Sequence, residues 1–113
     1  MNDETIDEDG EVERGSGNPY ADLAYPDADE MLVKAKLTHE IAAIIKARRL
    51  TQQRAAELLG IPQPKLSEML RGRFRGVSQA KMIECLNRLG RDVDIVIRKT
   101  QEDGTGHTAV VLG

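Results

Sequence analysis

At 113 residues the chain suits one small domain, and 40% apolar but only 3% aromatic side chains argue for an aliphatic core without a large enzyme pocket. A single cysteine excludes an internal disulfide or a multi-cysteine zinc site, no apolar run approaches the roughly 18 residues of a membrane span, and the acidic start does not resemble a secretory signal; a cytoplasmic protein is expected. The net charge of −3 hides a sorted pattern: eleven acids and one Arg in residues 1–30, thirteen Lys or Arg against four Glu in 31–91, and four acids against two bases in 92–113.

A basic middle between acidic ends points to an anionic partner for the middle. Residues 1–17 are acidic, Gly-bearing and nearly free of large apolar side chains, so they form an acidic N-terminal tail expected to be disordered. The next stretch, Asn18-Pro-Tyr-Ala-Asp-Leu-Ala-Tyr-Pro26, differs. Tyr20, Leu23 and Tyr25 predict an ordered arm lying against the helices.

The first long helix is predicted from Asp27 to Arg49. Asp27 and Glu30 have the spacing of a capping box. Leu37, Ile41, Ile44 and Ile45 fall at i, i+4, i+7 and i+8, a single apolar stripe. Lys46, Arg48 and Arg49 suit the negative end of the helix dipole. Thr51 then caps a helix from Gln52 to Leu59, and Gly60 stops it. Pro62 and Pro64 frame the start of the next helix, where first-turn amides lack intrahelical partners. It runs to about Arg71, and Gly72 ends it. Ser78 caps a last helix to about Leu89, with Met82, Cys85, Leu86 and Leu89 on one face.

At residue 92 the period changes. Val93, Ile95 and Ile97 alternate with Asp92, Asp94, Val96 and Arg98, the pattern of a strand over 92–99. A lone strand leaves unpaired backbone groups. Pairing with the same strand of a second copy about a two-fold axis is the simplest remedy. Residues 100–113 are expected to form a flexible C-terminal tail.

The informative constellation spans residues 52–71. Ala56 is small where two helices approach, Gly60 makes the turn, and Ile61 fills its inside. Leu66 and Met69 form the inner face of the second helix, opposite Ala55 and Leu59. These are the mechanics of a helix-turn-helix. The outer face of the second helix carries Gln63, Lys65, Ser67 and Glu68, hydrogen-bonding side chains of the kind that read base edges. Arg71, Arg73 and Arg75 follow at once, and each phosphate they neutralise makes binding more salt-dependent.

Gln52, Ala56, Gly60, Leu66 and Met69 fall at the matching positions of the lambda-repressor-like, or Xre-like, helix-turn-helix family, which the chain resembles over residues 18–99. The stretches NPYADLAYPDADEMLVKAKL, LLGIPQPKLSEMLRGRFRGVS and LNRLGRDVDIVIRK are similar to a bacterial branch with an N-terminal arm and a C-terminal strand. Many members of that branch are HigA-type antitoxins or Xre-like regulators. The resemblance implies an all-α bundle of four to five helices with a short C-terminal β-strand, and the unpaired edge of that strand adds that it pairs across a dimer. It implies a domain of residues 18–91, and double-stranded DNA as partner. Gln52 would contact a phosphate, Gln63 would open the recognition helix as a base reader, and Ser67 and Glu68 would face the groove. Pro64 stands where many members carry a polar residue, which implies one base contact fewer. Glu68 would accept from a cytosine amino group or repel phosphate.

Two readings follow. One is a dimeric repressor on a palindromic operator, that of its own operon. The other is an antitoxin that holds a small ribonuclease toxin and also represses its operon. Catalysis has little support: His39 and His107 lack partners for a nucleophile–base pair or a metal site. Cys85 falls on an apolar stripe as a structural thiol. The acidic run lacks the spacing of a calcium loop. No cofactor is expected.

Overall fold

The computed structural model describes residues 18–22, 27–100 and 104–113. Among them the regular structure is entirely helical: α1 (Pro19–Asp22), α2 (Ala28–Ala47), α3 (Gln52–Leu59), α4 (Gln63–Leu70) and α5 (Gln79–Arg88). The chain divides into two units, residues 1–32 and 33–113. The expected disordered tail of residues 1–17 lies outside the described residues, as do Leu23 and Tyr25 of the expected arm.

In the first unit, Asn18 builds α1. Its Oδ1 accepts from the Tyr20 amide at 2.9 Å and the Ala21 amide at 3.3 Å, satisfying first-turn donors beside a proline that has none to offer. Its Nδ2 donates to the Ala28 carbonyl at 3.2 Å and to Asp29 Oδ1 at 3.4 Å. One buried side chain therefore caps α1 and ties it to the first turn of α2.

In the second unit, α2 supplies Val33, Leu37, Ile41, Ile44 and Ile45 to the core, a stripe at helical spacing. Lys34 and Thr38 are buried beside it. The Thr38 hydroxyl donates to Met82 Sδ at 3.8 Å. The helix ends at Ala47, two residues before the expected Arg49. Arg49 is left-handed, with φ +55°. Its amide donates to Lys46 O at 3.0 Å, and the Leu50 amide donates to Ile45 O at 3.0 Å. This is the helix-ending motif that glycine usually serves, built here on an arginine.

The next helices follow their predicted caps. Thr51 Oγ1 accepts from the Arg54 amide at 3.0 Å to open α3, and Ser78 Oγ accepts from the Lys81 amide at 3.1 Å to open α5. α3 packs on α4 and on α5. Ala55, Ala56 and Leu59 from α3, Leu66 and Met69 from α4, and Met82, Cys85 and Leu86 from α5 are all buried.

Residues 92–99 form neither helix nor strand, so the C-terminal strand expected there is not formed in the single chain. A strand is defined by a ladder to a neighbour, and no described segment of this chain supplies one. Ile95 and Ile97 are 78% and 93% exposed. Residues 104–113 likewise carry no regular structure.

Candidate nucleic-acid interface

The turn between α3 and α4 fixes the pair. Gly60 adopts φ +68°, and its amide donates back to Glu57 O at 3.3 Å while the Ile61 amide donates to Ala56 O at 3.1 Å. An L side chain at this φ is strained. A Cβ at Gly60 would also lie 2.9 Å from Arg88 Nη1. That guanidinium reaches over from α5 to donate to Leu58 O at 3.4 Å and, through Nε, to Glu84 Oε2 at 3.1 Å. The backbone requires glycine here, and any side chain would also displace the arginine laid against it.

With α4 pinned through Leu66 and Met69, its opposite face is open. Gln63 and Lys65 are exposed, and Ser67 and Glu68 are half-buried. No side chain caps the start of α4, where Pro62 and Pro64 flank Gln63. Gln52 is exposed at the first position of α3.

The chain after α4 is held from both sides. Gly72, at φ +89°, closes the helix. Its amide donates to Met69 O at 3.0 Å, and the Arg73 amide donates to Glu68 O at 2.9 Å. Phe74 and Val77 are then buried, 3% and 6% exposed. The Val77 amide turns back to Phe74 O at 2.9 Å. The Lys34 ammonium, 3% exposed, donates to Arg75 O at 3.0 Å. Arg71, Arg73 and Arg75 are exposed around these anchors. The segment is a basic loop with a fixed backbone and outward cations.

Glu68 is bound into that loop. Arg73 Nη1 donates to its Oε1 at 3.2 Å and to its Oε2 at 3.3 Å, and Arg71 Nη1 lies 3.6 Å from Oε2. One carboxylate thus faces two of the three arginines. The polar face expected from the sequence holds Glu68 with Gln63, Lys65 and Ser67, and does not pair it with the arginines. Its spacing of i+3 to Arg71 and i+5 to Arg73 was the available signal for the cluster. Lys34 was also missed. Stepping the helical period back from Ile41 through Leu37 lands on Lys34, which marks it as inward-facing.

Lys65 and Glu68 therefore share α4 with Gln63 and Ser67, while Gln52 stands on α3 and the arginines on the loop. Val93, Ile95 and Ile97 belong to the C-terminal segment and are separate from this face in sequence. Cys85 is a buried thiol, and burial pushes its pKa above the ordinary value of 9.0. Among the described residues no helix is long and apolar enough to cross a membrane.

The helix-turn-helix domain family matches residues 19–98 of the chain. A solved structure assigned to the XRE family of transcriptional regulators is 38% identical, with a TM-score of 0.71; the match covers 78% of this chain and 100% of that one. No curated protein matches. The packed α3–α4 pair with its glycine turn and the two likenesses agree: the chain belongs to the Xre-like helix-turn-helix family of DNA-binding transcription regulators.

Proposed function

We propose that the protein is a repressor that binds a palindromic operator as a homodimer and regulates its own operon in the cytoplasm. In this reading residues 18–91 form the DNA-binding domain, residues 92–99 the dimerisation strand, and residues 1–17 and 100–113 its tails. α4 enters the major groove with Gln63, Lys65, Ser67 and Glu68 at base edges. Gln52 and Arg71, Arg73 and Arg75 lie at phosphates. The observation that carries the reading is the open face of α4 joined to a basic loop whose backbone is held by Phe74, Val77 and Lys34. A site held on packed elements keeps its cations in register with a regular polyanion without ordering them on binding.

Dimerisation rests on the C-terminal segment. Ile95, Val96 and Ile97 are exposed, whereas Val33, Leu37, Ile41, Ile44, Ile45, Leu59, Leu66, Leu86 and Leu89 are buried in the core. Pairing Val93, Ile95 and Ile97 with the same residues of a second copy would cover them and complete the missing ladder. Two recognition helices about 34–36 Å apart would then meet successive major grooves.

The test is binding of promoter fragments by Gln63→Ala and Arg73→Ala variants. Gln63→Ala is expected to alter sequence preference. Arg73→Ala is expected to weaken binding to every sequence and to lower the salt slope by about 1.8 per dimer, at about 0.9 per phosphate. Variants that bind as the parent does would refute this docking. Sedimentation of an Ile95→Asp, Ile97→Asp variant tests the strand: a monomer is expected, and a persistent dimer refutes the pairing.

A second reading, that the chain is an antitoxin for a small ribonuclease toxin, is favoured by a further apolar pair. Val111 and Leu112 are 79% and 63% exposed beyond the dimer segment and suit a protein partner. Copurification with a stoichiometric small basic protein would select that reading.

A further inference from the structure

We infer that Glu68 is an internal competitor for DNA phosphate and so sets the specificity ratio of the protein, not merely one base contact. The inference rests on the docking proposed above. Its observation is the geometry at the end of α4. The Glu68 carboxylate holds Arg73 at 3.2 and 3.3 Å and stands 3.6 Å from Arg71. All three side chains are substantially exposed, at 46%, 69% and 65%.

An exposed ion pair of this kind adds little to the stability of the fold. Its consequence lies elsewhere. Two cations placed to neutralise phosphates already have an anion at hydrogen-bonding distance. Any duplex must displace Glu68 from them, and the displaced carboxylate is then left against a polyanion. A site that offers Glu68 a donor, such as a cytosine amino group in the major groove, compensates that displacement. A site without one does not. The penalty falls on all sequences, and its relief falls only on sequences with a donor in the right place. A negatively charged residue beside the arginines thus lowers non-specific affinity more than specific affinity.

The closure of α4 makes this arrangement a property of the fold rather than of two free side chains. Gly72 turns the chain so that the Arg73 amide meets Glu68 O at 2.9 Å, which brings the Arg73 side chain back over the residue five positions earlier. The Arg71 side chain approaches from one helical turn away. The carboxylate is shared, so releasing one arginine leaves it on the other.

The experiment measures fluorescence anisotropy of a labelled random-sequence 24-base-pair duplex, from 50 to 300 mM KCl. The proteins are the full chain, Glu68→Gln, the Arg71→Gln, Arg73→Gln pair, and all three changes together. A unit charge about 4 Å away in water shifts binding roughly fivefold, so Glu68→Gln is expected to bind the random duplex about fivefold tighter at 100 mM KCl. The gain is expected to shrink at high salt and to vanish largely in the Arg71→Gln, Arg73→Gln background. Unchanged or weaker binding by Glu68→Gln overturns the inference. So does an equal gain with and without the two arginines, which would be an effect of net charge alone. A parent chain that fails to bind any duplex at 50 mM KCl overturns the docking itself, and is recognised without reference to the variants. Unchanged thermal unfolding of Glu68→Gln confirms that the exposed substitution leaves the fold intact.

Discussion

Replacing Gly60 with alanine tests the hinge on which the α3–α4 pair depends. Two costs add. An L residue at φ +68° sits in the left-handed region, at roughly 1–2 kcal/mol. The new Cβ would lie 2.9 Å from Arg88 Nη1 and 3.3 Å from its Cζ. Arg88 is the far end of a flexible side chain and can swing away, but only by giving up its donation to Leu58 O at 3.4 Å and straining its 3.1 Å pair with Glu84. A net hydrogen bond contributes about 0.5–1.5 kcal/mol. Gly60→Ala is therefore expected to cost about 2 kcal/mol. For a domain of this size that lowers Tm by roughly 10 °C. Urea and thermal unfolding followed by far-ultraviolet circular dichroism measure it. Repeating the change in an Arg88→Ala background isolates the steric share, and only the conformational 1–2 kcal/mol should remain. A Gly60→Ala protein within about 0.5 kcal/mol of its parent, the range of an ordinary surface change, would refute both components.

Lys34→Met keeps the buried stem of the side chain and removes the donor to Arg75 O. A hydrogen bond from a charged group contributes about 1.5–3 kcal/mol, so urea unfolding is expected to show a loss of that order, with faster amide exchange across residues 72–77; unchanged exchange there would mean that Lys34 does not hold the loop. Burial holds the Cys85 thiol above its ordinary 9.0, so below that pH both the folded and unfolded states keep the proton and stability does not change on this account. Above it the unfolded chain ionises first, and stability should fall with rising pH; a Cys85→Ala control should lack this component, and its persistence there would assign it to another group. Native Cys85 should also alkylate only as fast as the protein opens, which iodoacetamide labelling against urea concentration reads directly.

Much of the fold was legible because helix ends are local chemistry. Thr51 and Ser78 are read as caps from single residues, and each accepts the amide three positions on. Gly60 and Gly72 mark turns that only a left-handed residue makes. The stripe through Leu37, Ile41, Ile44 and Ile45 needs no more than the helical period. What escaped depended on partners distant in sequence or on contrary residue types. Arg49 ends α2 in a conformation usually given to glycine, so a basic residue read as the last turn is in fact beyond it. Lys34 is buried because a carbonyl 41 residues away awaits it, and its charge masked its place on the apolar face. Asn18 caps α1 while bonding to α2 ten residues later, a tie that composition does not reveal. The alternation at 92–99 reads as a strand, yet a strand forms only against a neighbour, which no described segment of the single chain supplies.

For the interface, the residue types were readable and their mutual arrangement was not. Gln63, Lys65, Ser67 and Glu68 were placed on one open face by the burial of Leu66 and Met69. The pairing of Glu68 with the arginines depends on how Gly72 turns the chain, and a polar-face reading treats each side chain alone.

The central claim is that α4 reads sequence in the major groove as one half of a two-fold pair. Selection of binding sites from a random duplex library tests it most directly, with the parent and Gln63→Ala run in parallel. The account predicts a palindromic motif with half-sites one helical turn apart, about 10–10.5 base pairs, and a Gln63→Ala motif changed at the same position in each half. An identical motif from both proteins, or an asymmetric one from the parent, would contradict it.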